Sequence, residues 1–232
     1  VRPEWDHMSR VAIMGSGSWG TAFSMVLADA GSSVMIVTRD DHIARQINDE
    51  RRNEAYHPGI ELPGSVAATT DSARALDGAD LVVLAVPAQV LRENLAQWSG
   101  LLPARSVLVS LIKGIELETM KRMSEVIAES TGVSTHRIAV VSGPNLAREV
   151  AEHQPTATTI ACDLESSARL LADACTTDYF RPYWTTDVVG TEIGGAVKNV
   201  IALANGMAVG MGLGENSQAS LITRGLAEMA RL

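Results

Sequence analysis

A glycine-rich turn between an apolar strand and a helix is the feature that most constrains how this chain can fold. Residues 15–20 read Gly-Ser-Gly-Ser-Trp-Gly, a G-x-G-x-x-G pattern. The turn follows the apolar run 11–14 and opens a predicted helix over 21–30, and residues 34–38 read as a second strand. This order within roughly thirty residues is typical of a parallel crossover unit that binds a dinucleotide.

The three glycines of the turn have different predicted roles. Gly15 permits the tight turn, Gly17 lets the backbone approach a pyrophosphate, and Gly20 lets helix and strand pack closely. The N-terminus of the helix then offers free N–H groups to the phosphates. We therefore assign Gly15, Gly17 and Gly20 to a predicted cofactor site.

The end of the second predicted strand indicates which dinucleotide binds. An acidic residue there would hydrogen-bond the ribose 2′-hydroxyl of NAD and repel a 2′-phosphate. This chain has Thr38 and Arg39 at that point, followed by Asp40 and Asp41. Because a guanidinium group pairs with phosphate bidentately, the sequence favours NADP(H) with Arg39 as a ligand. NAD(H) stays open because Asp40 is adjacent.

The rest of the chain alternates apolar strands with helices and then becomes helical. Further strands are predicted at 66–70, 81–86, 106–112, 137–142, 156–162 and 179–184, with helices at 41–54, 72–76, 119–130 and 165–174. Nearly continuous apolar strands of this kind predict an α/β fold with a Rossmann-type, mostly parallel sheet, followed by the start of an all-helical second domain.

A domain boundary is predicted near residue 188. We expect a dinucleotide-binding domain over 8–187 and the N-terminal part of a helical substrate domain over 188–232. The last predicted helix, 216–232, has neither glycine nor proline as a stop signal, which predicts a helical domain that is cut short. Residues 1–7 read as a polar leader outside the fold.

Composition narrows the classes of partner and compartment. The formal charge of −8 argues against nonspecific nucleic-acid binding. No apolar run reaches membrane-spanning length and no signal peptide is evident, so we expect no membrane insertion. Cys162 and Cys175 lack metal-ligand spacing and read as reduced thiols, which predicts a cytoplasmic protein without a metal site. The sequence leaves homodimer formation open.

Lysine is rare in this chain, so the position of each lysine is informative. Of 19 basic residues only Lys113, Lys121 and Lys198 are lysines. Lys113 and Gly143 both follow apolar strands, at the sheet edge where open α/β sheets bind ligands. Gly143 and the proline after it are also predicted to begin a helix, which would offer N–H groups to an anionic or polar substrate.

Lys198 lies in the middle of a largely apolar predicted helix. Burying an unpaired ammonium is costly, so a partner or a lowered pKa is expected there. At helical spacing, Gly194 and Gly195 lie one turn before Lys198 and Asn205 lies two turns after it, which predicts a cleft wall of small and polar residues. The alternative is a lysine whose ammonium reaches the surface.

Six motifs follow one another along the chain after Met8: Gly15-Ser-Gly-Ser-Trp-Gly-Thr-Ala, Val86-Pro-Ala, Lys113-Gly, Ser142-Gly-Pro-Asn, Gly194-Gly-Ala-Val-Lys-Asn and Ile222-Thr-Arg-Gly-Leu-Ala-Glu-Met. Together they resemble the motifs of bacterial NAD(P)-dependent glycerol-3-phosphate dehydrogenase. The last two motifs are specific, whereas the first is shared with many dehydrogenases. The resemblance implies reduction of dihydroxyacetone phosphate to sn-glycerol 3-phosphate, which feeds glycerophospholipid synthesis.

The resemblance also implies roles for individual residues. It implies cofactor contacts at Ser18, Trp19, Arg39, Lys113 and Ala147, substrate contacts at Lys113, Gly143, Asn145 and Lys198, and catalysis by Lys198 as acid/base with Lys113. Many relatives have Thr or Ser where this chain has Asn145. The family's distal phosphate-binding motifs lie beyond residue 232, so this chain is expected to turn over poorly.

Two other functions remain open from the sequence. A different β-hydroxyacid-type NADP dehydrogenase, such as a ketopantoate reductase, shares the glycine-rich turn and a lysine on a helical second domain, although residues 194–199 argue against it. A non-catalytic nucleotide-binding protein would need the cofactor site but neither Lys113 nor Lys198. Rates on a panel of ketone substrates would distinguish a β-hydroxyacid-type dehydrogenase. Cofactor binding without turnover would indicate a non-catalytic nucleotide-binding protein.

Overall fold

The computed structural model describes residues 9–232, so the predicted leader at 1–7 lies outside the described residues. The strands are β1 (Arg10–Met14), β2 (Ser33–Val37), β3 (Val66–Thr69), β4 (Leu81–Leu84), β5 (Val107–Ser110), β6 (Ile138–Ser142), β7 (Thr156–Cys162) and β8 (Phe180–Thr185). The α-helices are α1 (Ser18–Asp29), α2 (Asp41–Arg45), α3 (Ser72–Leu76), α4 (Leu91–Trp98), α5 (Met123–Thr131), α6 (Ala147–Ala151), α7 (Glu165–Cys175), α8 (Val188–Gly210) and α9 (Glu215–Met229).

The strands form one sheet in the order β3-β2-β1-β4-β5-β6-β7-β8. All neighbouring strands are parallel except β6 and β7, which are antiparallel. The first six strands have the Rossmann order, and helices follow the sheet in the chain, so the predicted fold class is confirmed. The order reverses between β1 and β4, and ligands bind in the crevice outside the carboxyl ends of strands at such a point.

The sheet is covered on both faces, which explains its continuous apolar strands. Every residue of β4 and β5 is buried. One core cluster includes Phe23 of α1 and Phe180 of β8, and the cluster on the other face includes Leu95 of α4 and Ile127 of α5. Full burial of a side chain of this size stabilises the fold by about 1.5–3 kcal/mol.

Two predicted helices differ in extent from the observed ones. The helix predicted over 41–54 is α-helical only as far as Arg45, continues as a π-helical turn over Gln46–Glu50 and ends at Arg51, where φ is 53°. The helix predicted over 119–130 begins at Met123 instead. Residues 115–122 form a loop that is closed by an antiparallel bridge between its two ends, which delays the helix.

The prediction that a helix begins at Gly143 and Pro144 is wrong, because α6 begins at Ala147. The backbone N–H of Asn145 donates to the Gly143 carbonyl, so residues 143–146 form a turn first. This turn lies at the end of β6, and its position matters for the site described below.

The helix α8 is long and apolar over most of its length. It has 23 residues with a mean hydropathy of 1.2 over its most apolar window, enough to cross a membrane by length and composition alone. The expectation that no apolar segment reaches that length is therefore wrong. Glu192 and Lys198 interrupt the apolar run, but the mean hydropathy of the helix stays high. The division at residue 188 coincides with the start of α8 and stays a prediction, since α8 packs on β6 and β7.

Candidate active site

A cleft of about 620 Å³ opens at the carboxyl ends of β1, β2, β4 and β5. Its walls come from four loops that follow these strands, and they include Gly15, Ser16, Gly17, Ser18, Trp19, Thr38, Arg39, Ala85, Val86, Pro87, Ala88, Ile112 and Lys113. Most of the predicted cofactor residues therefore share one cleft, at the point where the strand order reverses.

The glycines of the turn have different surroundings. Gly15 has a φ of 127°, and a Cβ there would lie 2.6 Å from the Ala85 carbonyl oxygen. A Cβ on Gly20 would collide with the Gly15 carbonyl oxygen. Among residues 9–232, a Cβ on Gly17 would meet no atom within 4 Å, and no side chain caps the start of α1 at Gly17. This open, N–H-lined space fits a dinucleotide pyrophosphate.

Two buried side chains that sequence reasoning missed hold the turn in place. The amide nitrogen of Asn53 donates to the Ser16 carbonyl at 3.0 Å and to Thr21 Oγ1 at 2.8 Å. His57 Nε2 lies 2.8 Å from the Ser18 carbonyl oxygen. Both side chains are fully buried. These contacts join residues far apart in the chain, so no local sequence signal could have identified them.

Arg39 and Asp40 are used differently although they are adjacent. The Arg39 side chain is exposed and lines the cleft. The Asp40 carboxylate accepts a hydrogen bond from the His42 backbone N–H at 2.8 Å and so caps α2. Thr38 is buried, and its hydroxyl accepts from Ser16 Oγ at 2.9 Å. The Arg39 guanidinium therefore lines the cleft, while the Asp40 carboxylate is bound to the first turn of α2.

Lys113 joins the cofactor cleft to the turn that follows β6. Its ammonium donates to the Gly143 carbonyl at 3.0 Å, and its side chain is half-buried. Burial, with the nearby positive charge of Lys198, lowers the pKa of Lys113 to about 8. The predicted residues Lys113, Gly143 and Lys198 therefore lie together.

Asn145 is buried in the same turn and bound to β7. Its amide nitrogen donates to the Ala157 carbonyl at 3.1 Å, and the Thr158 hydroxyl donates to its Oδ1, also at 3.1 Å. A Cβ on Gly143 would lie 3.1 Å from Asn145 Oδ1, so the turn tolerates little bulk. The side chain of Asn145 supports the shape of the turn.

The helix α8 reaches this site through a glycine. A Cβ on Gly195 would collide with Ser142 Oγ and lie 3.7 Å from Lys113 Cγ. Lys198 lies one turn later and is half-buried, near enough for its positive charge to lower the pKa of Lys113. Within residues 9–232 the Lys198 ammonium has no salt-bridge partner. The Asn205 Oδ1 atom, two turns further on, is buried without a hydrogen-bond partner among the described residues.

Ala147 takes a different position from the other predicted cofactor residues. It begins α6, which packs against α1, and its side chain joins the core on that face of the sheet. It lies outside the walls of the cleft, so its cofactor contact stays a prediction.

Comparison with known proteins agrees with this geometry. The family model for the N-terminus of NAD-dependent glycerol-3-phosphate dehydrogenase matches residues 10–168, and the model for its C-terminus matches residues 187–232. The chain belongs to the NAD-dependent glycerol-3-phosphate dehydrogenase family.

Individual members of the dehydrogenase family are similar over nearly the whole chain. The glycerol-3-phosphate dehydrogenase [NAD(P)+] of Streptomyces griseus is 58% identical over 226 residues, which cover 97% of this chain and 67% of that protein. The Corynebacterium glutamicum protein of the same name is 58% identical over 97% of this chain and 68% of its own length. The crystal structure of Coxiella burnetii glycerol-3-phosphate dehydrogenase matches with a TM-score of 0.89 at 34% identity, covering 97% of this chain and 68% of that one.

The cysteines of this dehydrogenase-family chain are both buried and unpaired. Burial raises the pKa of the Cys175 thiol. Among residues 9–232, no group of three His, Cys, Asp or Glu side chains is placed to hold a metal ion.

Proposed function

We propose that this chain interconverts dihydroxyacetone phosphate and sn-glycerol 3-phosphate with NAD(P)H, in the cytoplasm, and so supplies glycerophospholipid synthesis. One observation carries the proposal: Lys113 lines the dinucleotide cleft, and α8 packs against it at Gly195, three residues before Lys198. Two nearby lysines suit a phosphorylated substrate whose ketone becomes an alkoxide. Family membership supports the same reaction.

The cleft supports NADP(H) as the preferred cofactor, with NAD(H) also accepted. Gly15, Gly17, Ser18, Trp19 and Gly20 would hold the pyrophosphate and its surroundings. A 2′-phosphate would face the Arg39 guanidinium, while the Asp40 carboxylate caps α2. The bound cofactor would supply the hydride that reduces the ketone carbon.

Lys198 would act as the acid. As an ammonium group it can stabilise the negative charge that develops on the substrate oxygen and donate the proton that completes the alcohol. In the reverse direction the neutral amine accepts that proton. Lys198 has no competing salt bridge among residues 9–232, so its charge is available to a ligand.

Lys113 would orient the substrate and hold its charge. The hydrogen bond to the Gly143 carbonyl fixes the Lys113 ammonium at the edge shared by the cleft and the substrate side. Gly143 and Asn145 would contact the substrate from the turn after β6, which is bound to β7 by the Asn145 side chain. With a pKa of about 8, Lys113 is mostly charged at neutral pH.

A substrate panel tests this proposal. The chain spans about two thirds of the length of its relatives, so the assay uses the complete protein. NADPH oxidation is measured with dihydroxyacetone phosphate, ketopantoate and unphosphorylated dihydroxyacetone, and is repeated with NADH. We expect dihydroxyacetone phosphate to be reduced fastest and NADPH to be preferred.

The other outcomes identify the alternatives. Faster reduction of ketopantoate would indicate a β-hydroxyacid-type dehydrogenase, and tight NADPH binding without turnover of any ketone would indicate a non-catalytic nucleotide-binding protein. Sedimentation velocity on the same sample tests for a homodimer.

A further inference from the structure

A buried carboxylate joins α8 to α5. The Glu192 side chain is only 3% exposed. Its Oε1 accepts from the Ser124 backbone N–H at 2.8 Å, and its Oε2 accepts from the Ser124 hydroxyl at 2.5 Å and from Arg122 Nη1 at 2.8 Å. Ser124 lies in the first turn of α5, whose N–H groups have no partner within their own helix. The carboxylate therefore caps α5 from another helix, at the positive end of its dipole.

This arrangement is not part of the cofactor cleft. Glu192, Arg122 and Ser124 are all absent from the walls of the cleft. A buried carboxylate is costly unless its oxygens are well paired, and removal of one partner is strongly destabilising locally. A fully satisfied carboxylate at this junction therefore fixes one geometry of α8 against α5.

Glu192, Gly195 and Lys198 follow one another at three-residue intervals on α8. At about 100° per residue, each step of three turns the side-chain direction by roughly 60° around the helix. Glu192 thus contacts α5, Gly195 contacts Ser142 at the end of β6 and approaches the Lys113 side chain, and Lys198 follows three residues later. Because Glu192 and Lys198 lie on one continuous helix, a rotation of α8 that released Glu192 would also displace Lys198.

We propose that Glu192 is a positioning residue: its bonds to Arg122 and Ser124 set the rotation of α8 and thereby hold the Lys198 ammonium beside Lys113. Gly195 supplies the second point of contact, because its missing side chain lets α8 lie against Ser142. The chemical role of Lys198 in this proposal rests on the proposed function. The placement of Lys198 by Glu192 does not depend on that function.

The placement of Lys198 near Lys113 can be measured by NMR. Residues 1–232 contain three lysines, and reductive methylation of the complete protein with ¹³C-formaldehyde labels these together with the α-amino group and any lysine in the rest of the protein. Replacing Lys113, Lys121 and Lys198 by arginine, one at a time, assigns their signals. Titration then gives the pKa of Lys113 in the complete protein, and Lys198→Met gives the value without the neighbouring charge.

Three variants separate geometry from charge. Glu192→Gln removes a negative charge, Arg122→Gln removes a positive charge, and Ser124→Ala changes no charge. If α8 shifts, the pKa of Lys113 rises in all three towards its value in Lys198→Met, by about half a pH unit or more in Glu192→Gln. A purely electrostatic effect would lower it in Glu192→Gln and raise it in Arg122→Gln. Opposite shifts, or no shift in Ser124→Ala and Glu192→Gln, would overturn the proposal.

Activity supplies the second readout. We expect Glu192→Gln to lower kcat for dihydroxyacetone phosphate about tenfold with the KM for NADPH unchanged, since the cleft is untouched. The matched control is Glu125→Gln, which removes the other, exposed carboxylate partner of Arg122 and should leave kcat unchanged. A loss of kcat without a change in the Lys113 pKa would mean that Glu192 is merely structural. If Lys198→Met retained turnover while Glu192→Gln still raised the Lys113 pKa, the positioning would stand and the assignment of Lys198 as acid would fail.

Discussion

The cofactor cleft and the lysine-bearing helix are held in place in different ways. In α1, which begins at the cleft, residues 20–28 are all buried against the sheet. In α8 only Val188, Glu192, Gly195 and Ala208 are buried, and in α9 no residue is. The cleft thus rests on a deep core, whereas the position of Lys198 depends on a few contacts. Binding and chemistry should therefore respond separately to substitution.

The largest expected effect is at the open glycine of the cleft. Gly17→Val should abolish NADPH binding with little change in thermal unfolding, because its side chain enters space that no protein atom occupies. Gly20→Val is the contrasting variant, since its side chain collides with the Gly15 carbonyl oxygen and should destabilise the fold. Fluorescence titration with NADPH and a thermal melt measure the two effects. Near-normal NADPH affinity in Gly17→Val would show that the turn is only structural.

The next largest effect is expected on the rate of turnover, with cofactor binding unchanged. Lys198→Met should lower the single-turnover rate of NADPH oxidation by ~10²–10⁴-fold, the usual contribution of a general acid, while NADPH affinity is retained. Lys198→Arg should restore little, because guanidinium is a far weaker acid. Lys121→Met is the matched control, as Lys121 is exposed and paired with Glu129. If Lys198→Met reduced dihydroxyacetone phosphate within a few-fold of the wild-type rate, Lys113 would become the leading acid.

A smaller effect should distinguish the two cofactors. Arg39→Ala should weaken NADPH binding by about 1.5–3 kcal/mol, or roughly one to two decades, and leave NADH nearly unchanged. Arg45→Ala serves as a control, because Arg45 lies on the exposed part of α2 and bonds a backbone carbonyl. Calorimetric titration with each cofactor gives the comparison. Equal losses for NADPH and NADH would contradict the role of Arg39.

The smallest effect is a pH dependence on the substrate side. Below its pKa of about 8, Lys113 is an ammonium group that attracts the substrate phosphate, and above that pH it becomes neutral. The KM for dihydroxyacetone phosphate should therefore be flat at lower pH and rise by up to about tenfold per pH unit above 8. Lys113→Gln should have a higher KM without this break. If the KM of Lys113→Gln still rose above pH 8, the pH dependence would come from the titration of a different group.

The sequence predicted the sheet better than the contacts between elements. The limits of β7 were predicted as observed, because Pro155 and Asp163 bracket a run of small and β-branched residues. The helix α4 was missed, although Leu91, Leu95 and Trp98 recur at helical spacing and are buried. The spacing of these three residues is a local signal, so α4 could have been predicted from the sequence.

Other parts of the site depend on contacts that no local pattern encodes. Asn53 and His57 are buried only because a loop folds back over the glycine-rich turn. Glu192 reads as an ordinary exposed acid near a helix start until α5 is placed against it. The helix start predicted at Gly143 was wrong for the same reason, since β7 binds the side chain of Asn145 and stabilises a turn there.

The capping of α2 by Asp40 has a consequence for redesign of the cofactor preference. An enzyme converted to strict NADH use needs a carboxylate aimed at the ribose, and removal of Arg39 alone would not provide one while Asp40 caps the helix. Thr38 is also unavailable for this purpose, because its hydroxyl already accepts hydrogen bonds from Ser16 Oγ and from the Asp40 backbone N–H. Engineers who wish to change the coenzyme would have to rebuild the first turn of α2 together with the recognition residue.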